Sequence, residues 1–213
     1  MRYRWRTPVT GALIGVNIAW FLLVEAPHGW DANGLLAAGA LAPALAVTGQ
    51  WYRCVSAMFV HMNFMHLTMN MVSLWFLRSI EPWLGKSAFF FIYWIAGVAG
   101  FVLSANWADP FTVFAGASGA VFGIFGVALY LAFRGYFHKS VRNQMLWILG
   151  INGIYDIFAP GVDVLGHAVG LAVGAFCTAV LYRKPQWKTG RVANVAAIFA
   201  LAGTLWAFVR VIG

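Results

Sequence analysis

The chain has 213 residues, of which 62% are hydrophobic and only 9% charged, against roughly 25% charged in a soluble domain. Its formal net charge of +8 would suit a nucleic-acid partner, but no basic cluster with interleaved aromatics forms a groove for one. The composition excludes a water-soluble globular protein and predicts an all-α, polytopic membrane helix bundle with no separate soluble domain.

A helix that crosses a bilayer needs about 20 mainly apolar residues. Seven segments approach that length: 9–26, 63–80, 86–105, 117–134, 143–159, 162–182 and 192–212, the fifth being the shortest. The first six form a core over residues 1–182. A basic cytoplasmic linker, 183–191, leads to a seventh transmembrane helix in 192–213. Arg2, Arg4, Arg6, Arg78, Lys86, Arg134, Lys139, Arg142, Arg183, Lys184, Lys188 and Arg191 fall on one side of this topology, and only Arg53 and Arg210 on the other. The positive-inside rule then puts the N-terminus in the cytoplasm and the C-terminus outside. The expected setting is the bacterial cytoplasmic membrane.

The Arg-rich start has the outline of a secretory signal. Its apolar run is nearer the length of a span, however, and Val24-Glu25-Ala26-Pro27 is a poor cleavage site, so the first helix is expected to be retained. The long connection 28–60 carries Trp30, Leu35, Leu36, Leu41, Leu45, Trp51 and Tyr52, which predicts short elements lying in the outer interface. Cys54 and Cys177 are far apart along the chain and read as packing residues, not a disulfide.

Span two is expected to start at an Asn63 N-cap, with His61 left in the loop in a structural role. His66 and Asn70 then share one helix face as i, i+4 partners. Span four carries Gly119, Gly123 and Gly126, and span six Gly166, Gly170 and Gly174. Such stripes let helices approach closely in lipid, and alone they indicate packing only. Here each flanks a chemically competent residue, Ser118 or His167, so close packing would bring the two within reach.

Polar side chains at membrane depth are costly and count as functional candidates. A serine hydrolase needs a hydroxyl, a base to take its proton and donors for an oxyanion. Ser118 lies where an apolar helix starts, so its N–H belongs to the unpaired, positively polarised end of that helix. The inferred topology puts the starts of spans two, four and six on the outer side, so His66, Ser118 and His167 fall at similar depth.

With these residues in place the chain resembles the rhomboid intramembrane serine proteases. The resemblance runs through Trp51-Tyr52-Arg53, the H-x4-H-x3-N segment His61 to Asn70, Gly116-Ala117-Ser118-Gly119, and His167 with Gly170 and Gly174. It covers residues 1–182 and implies a Ser118–His167 dyad without an acid. It also implies an oxyanion hole of the Ser118 N–H, His66 and Asn70. Trp51 and Arg53 would stabilise the first loop, Glu81 would tie the cytoplasmic end of span two, and span five would gate access. Gly166 stands where the family often has alanine, and Phe122 where some members have tyrosine; Phe122 can still pack against His167. The implied substrates are transmembrane segments of membrane proteins, unwound near the outer face by weak helix formers such as Gly or Pro, with a small residue before the cut. No metal or cofactor is implied.

A metalloprotease or haem protein would have to use His61, His66 and His167, but no H-E-x-x-H run occurs. Tyr155-Asp156 lacks the second aspartate of an aspartyl intramembrane protease, and Asp156 is expected at the outer end of span five. A transporter would show matching halves, and none is visible. The remaining alternative is a catalytically silent rhomboid-like protein that binds transmembrane helices. Oligomeric state is not written in the sequence.

Overall fold

The computed structural model describes residues 7–158, 162–183 and 190–213. All regular elements among them are helical. Helix α1 runs Pro8–His28, with a π-helical turn at Phe21–Glu25. Three short helices follow: α2 (Ala32–Ala37), α3 (Pro43–Val47) and α4 (Arg53–Ser56). Helix α5 (Phe64–Phe76) continues through a 3-10 turn, Leu77–Ser79, into α6 (Ile80–Leu84). The long helices α7 (Lys86–Trp107), α8 (Ser118–Phe133), α9 (Lys139–Phe158), α10 (Val164–Arg183) and α11 (Arg191–Ile212) complete the order.

Four of these, α1, α7, α10 and α11, are long and apolar enough to cross a membrane, and α8 is a shorter apolar helix. The protein is a multi-pass membrane helix bundle. Each of the seven expected segments coincides with a helix, but the boundaries move. Span two, expected to end at 80, stays helical to Leu84 because the 3-10 turn carries it past a proline: Pro82 has no N–H for the Arg78 carbonyl, and the helix tightens just before it. The fifth helix starts at Lys139, four residues before the expected 143. The side chains of Tyr155 and Asp156, and most of the 183–191 linker, lie outside the described residues.

Helix α8 is the centre of the bundle, with Ala120, Ile124, Val127, Ala128 and Leu131 fully buried. Its glycines meet those of α10 across a backbone-to-backbone contact. A Cβ on Gly170 would run into the Gly119 carbonyl, and one on Gly174 into the Gly123 carbonyl. Lipid supplies no hydrophobic drive for helices to associate, so this van der Waals closeness is what side-chain-free faces contribute.

The first loop is less interfacial than its composition suggests. Residues Ala57 to His61 are at most 2% exposed. Irregular backbone at such a depth is tolerated only where protein satisfies it. Leu41 and Phe114 exchange two backbone hydrogen bonds of 2.9 and 2.7 Å, joining the first loop to the segment before α8. The Arg53 guanidinium donates to the carbonyls of Leu36 and Ala40 at 2.7 and 2.8 Å and to Gln50 Oε1 at 2.7 Å. Arg53 thus ties the loop, whereas Trp51 is 46% exposed at its rim. At the opposite end, Glu81 accepts from the Val9 and Thr10 N–H groups at 3.0 and 2.8 Å and from the Thr10 hydroxyl at 2.8 Å. A carboxylate on unpaired donors of a first turn is favoured by the helix dipole.

Candidate active site

Ser118 is the first residue of α8, and the Val121 N–H already bonds back to Ala117 at 2.9 Å. The N–H groups ahead of it, those of Ser118, Gly119 and Ala120, therefore belong to the end of the helix that has no intrahelical acceptors. Ser118 Oγ lies 2.6 Å from His167 Nε2, within hydrogen-bond reach across 49 residues of sequence. His167 is 9% exposed. Its ring lies parallel to that of Phe122, one turn after Ser118, with centroids 4.3 Å apart and planes within 9°. The packing expected between Phe122 and the imidazole is present.

Asn63 caps α5: its Oδ1 accepts the His66 N–H at 2.9 Å. His66 therefore sits in the first turn, as the cap predicts, and the Asn70 amide donates to the His66 carbonyl at 3.1 Å. Gly116 has φ +126°, a conformation disfavoured for residues with a Cβ. A Cβ there would lie 2.6 Å from His66 Cε1, 2.8 Å from its Nε2 and 3.7 Å from Ser118 Oγ. The glycine of the Gly-x-Ser-Gly run thus lets the His66 imidazole lie beside Ser118. Ser118, His167, His66 and Asn70 all line one cavity of about 320 Å³, together with Phe122, Gly119 and Asp163.

His61 is fully buried outside this cavity. Burial, with the nearby His66 adding to it, holds its imidazole down at about 3, so the ring is neutral. Its Nδ1 faces the Phe59 carbonyl at 3.2 Å and must be the protonated nitrogen, since a carbonyl only accepts. The His61 ring meets that of His66 edge-on at 5.3 Å.

Two acidic residues, Glu25 and Asp163, lie near the site; Glu25 carried no sequence signal, whereas Asp163 precedes His167 by four positions. Glu25 is fully buried at the end of the π-helical turn and accepts the His61 N–H at 2.9 Å. Asp163 Oδ1 accepts the Gly166 N–H at 2.8 Å and the Ser104 hydroxyl at 2.6 Å. It caps α10 one turn before His167, and a Cβ at Gly166 would run into its carboxylate. No group of three or more His, Cys, Asp or Glu that could hold a metal occurs among the described residues, and both cysteines are free.

A family model described as the Rhomboid domain matches residues 48–184. The chain is 32% identical over 198 residues to rhomboid protease GluP of Bacillus subtilis, covering 91% of this chain and 39% of GluP. It is 25% identical over 226 residues to rhomboid protease AarA of Providencia stuartii, covering 92% of this chain and 80% of AarA. It is also 35% identical over 130 residues to the mitochondrial rhomboid protein 1 of Saccharomyces cerevisiae, covering 56% of this chain and 35% of that protein. The chain therefore spans about two fifths of the length of GluP. The model match takes in the Trp51–Arg53, His61–Asn70, Gly116–Gly119 and His167–Gly174 segments and more than half of the sequence, and the chain belongs to the rhomboid family.

Proposed function

We propose that this protein is an intramembrane serine endopeptidase that cuts transmembrane segments of membrane proteins near the outer face of the bilayer. The observation that carries this reading is the 2.6 Å approach of Ser118 Oγ to His167 Nε2 at the start of a helix inside an apolar bundle. Ser118 attacks the scissile carbonyl while His167 takes its proton and then delivers it to the leaving amine. The Ser118 N–H, the His66 ring and the second N–H of the Asn70 amide stabilise the oxyanion. Water from the outer side hydrolyses the acyl-enzyme.

A transmembrane substrate hides its carbonyls in its own helix, so it must unwind before attack. A second cavity of about 360 Å³ between α5, α8 and α9 shares Ser73, Val121 and Phe122 with the catalytic one. Its apolar wall, including Phe76, Phe125 and Met145, supports lateral access past α9. The six helical segments up to 182 form the protease core, 183–191 the cytoplasmic linker and 192–213 a seventh span. The chain lies in a bacterial cytoplasmic membrane with its N-terminus inside and C-terminus outside.

The test is cleavage of a model transmembrane substrate in liposomes by wild type and by Ser118→Ala. Wild type should cut and Ser118→Ala should not. Equal cleavage by both in a preparation free of host protease would sink the assignment, and cleavage by neither would favour the silent helix-binding alternative.

A further inference from the structure

The outer half of α11 rests on the first loop. Phe208 stacks on Trp20 of α1 at 4.1 Å between centroids and meets Phe59 edge-on at 4.9 Å. Trp20 in turn donates its Nε1–H to the Ala38 carbonyl at 3.1 Å. Arg210 covers the Tyr52 ring at 5.6 Å, the same ring that Arg53 covers at 5.5 Å. Val211 fills the space beside Gly39, where a Cβ would come within 2.9 Å of its Cγ2. By contrast Phe199, on the same helix, is 73% exposed.

Phe59 is the near end of a continuous series of contacts. Its carbonyl holds His61 Nδ1 at 3.2 Å, and His61 packs edge-on to His66 at 5.3 Å. The His66 ring covers Gly116, two residues before Ser118. The segment carrying this series, residues 57–61, belongs to no helix or strand; its backbone is held by turn hydrogen bonds such as Phe59 N–H to the Ser56 carbonyl at 2.9 Å and by the Glu25 carboxylate on the His61 N–H at 2.9 Å. Those bonds fix the backbone locally but not the Phe59 ring, whose position depends on packing. Phe208 supplies such a contact, on the ring of the residue whose carbonyl sets His61.

We infer that Phe208 on the seventh helix is a positioning residue for the hydrolytic site, bracing Phe59 so that the first loop holds His66 beside Gly116 and Ser118. The inference rests on the protease reading for its kinetic consequence, but not for its structural one. A contact that only adds stability would lower the unfolding midpoint and leave turnover per folded molecule unchanged. A brace for the site lowers kcat and leaves KM near its wild-type value, because the substrate-facing walls are untouched.

The experiment compares wild type, Phe208→Ala, Phe208→Leu and the lipid-facing control Phe199→Ala in the full chain. The readouts are labelling of Ser118 by a fluorophosphonate, kcat and KM on a model transmembrane substrate, and hydrogen exchange at residues 57–61. Phe208→Ala should label and turn over about 10-fold more slowly, the scale of losing aromatic contacts, with KM nearly unchanged and faster exchange at 57–61. Phe208→Leu should fall between it and wild type, and Phe199→Ala should match wild type. Wild-type labelling and turnover in Phe208→Ala would overturn the inference, as would slow labelling without faster exchange at 57–61. Should Phe208→Ala not fold, Phe208→Leu carries the same comparison. A wild type that takes no label would defeat the protease reading alone; exchange at 57–61 would then decide the brace, rising if it exists and staying flat if it does not.

Discussion

His167 lies flat against Phe122, with ring centroids 4.3 Å apart and planes within 9°. Phe122 is one turn after Ser118 on α8, so the helix that carries the hydroxyl also carries the surface that orients its base. An aromatic pair contributes about 0.5–1.5 kcal/mol beyond its area, which is roughly 2- to 12-fold in rate if all of it holds the imidazole in place. Phe122→Ala should lower kcat on a model transmembrane substrate within that range, and Phe122→Tyr, which keeps the ring face, should stay near wild type. Unchanged kcat in Phe122→Ala would reduce the ring to filler.

Asn70 offers a sharper case. One N–H of its amide is engaged by the His66 carbonyl at 3.1 Å, and the residue lines the catalytic cavity. Loss of one oxyanion donor among several costs about 10²–10³ in kcat. Asn70→Ala should therefore be crippled yet measurable, with its unfolding midpoint changed far less than its rate. Full turnover in this variant would remove Asn70 from the site.

Glu81 should behave in the opposite way, through stability and not chemistry. Thr10 and Glu81 are both buried, and Glu81→Ala leaves the Thr10 N–H and hydroxyl without their acceptor. Two buried unpaired donors cost about 2–6 kcal/mol, or about 4 °C or more in the unfolding midpoint at this size. Thermal unfolding in detergent measures it. A Glu81→Ala protein that melts with wild type would mean that the start of α1 is held by other contacts.

How much of this could be read beforehand depended on whether a residue advertises itself locally. Ser118 and His167 stand out as polar groups in apolar helices, and the glycine stripes that pack α8 on α10 repeat at helical intervals. Asn63 is legible because a cap and the helix it starts are adjacent. Glu25 is not, because a π-helical turn changes the face on which it emerges, and nothing in Phe21–Glu25 announces that turn. The Leu41–Phe114 pairing is too short to have a period and joins residues 73 apart in number. Apolar content alone ends the span at 80, because it takes no account of Pro82, beside which the 3-10 turn at Leu77–Ser79 forms.

Asp163 is the residue on which a dyad and a triad part company. It precedes His167 by four positions, a spacing that on a helix could orient an imidazole. In the structure its Oδ1 is occupied by the Gly166 N–H at 2.8 Å and the Ser104 hydroxyl at 2.6 Å, which makes it the N-cap of α10 and a tie to α7. Asparagine caps a helix about as well as aspartate, whereas alanine forfeits about 0.5–2 kcal/mol. Asp163→Asn should therefore keep most of its kcat and its unfolding midpoint, and Asp163→Ala should lose stability before it loses chemistry. A fall approaching 10⁴-fold in kcat for Asp163→Asn, the scale seen when a triad aspartate becomes asparagine, would instead make the carboxylate a third member of the catalytic group.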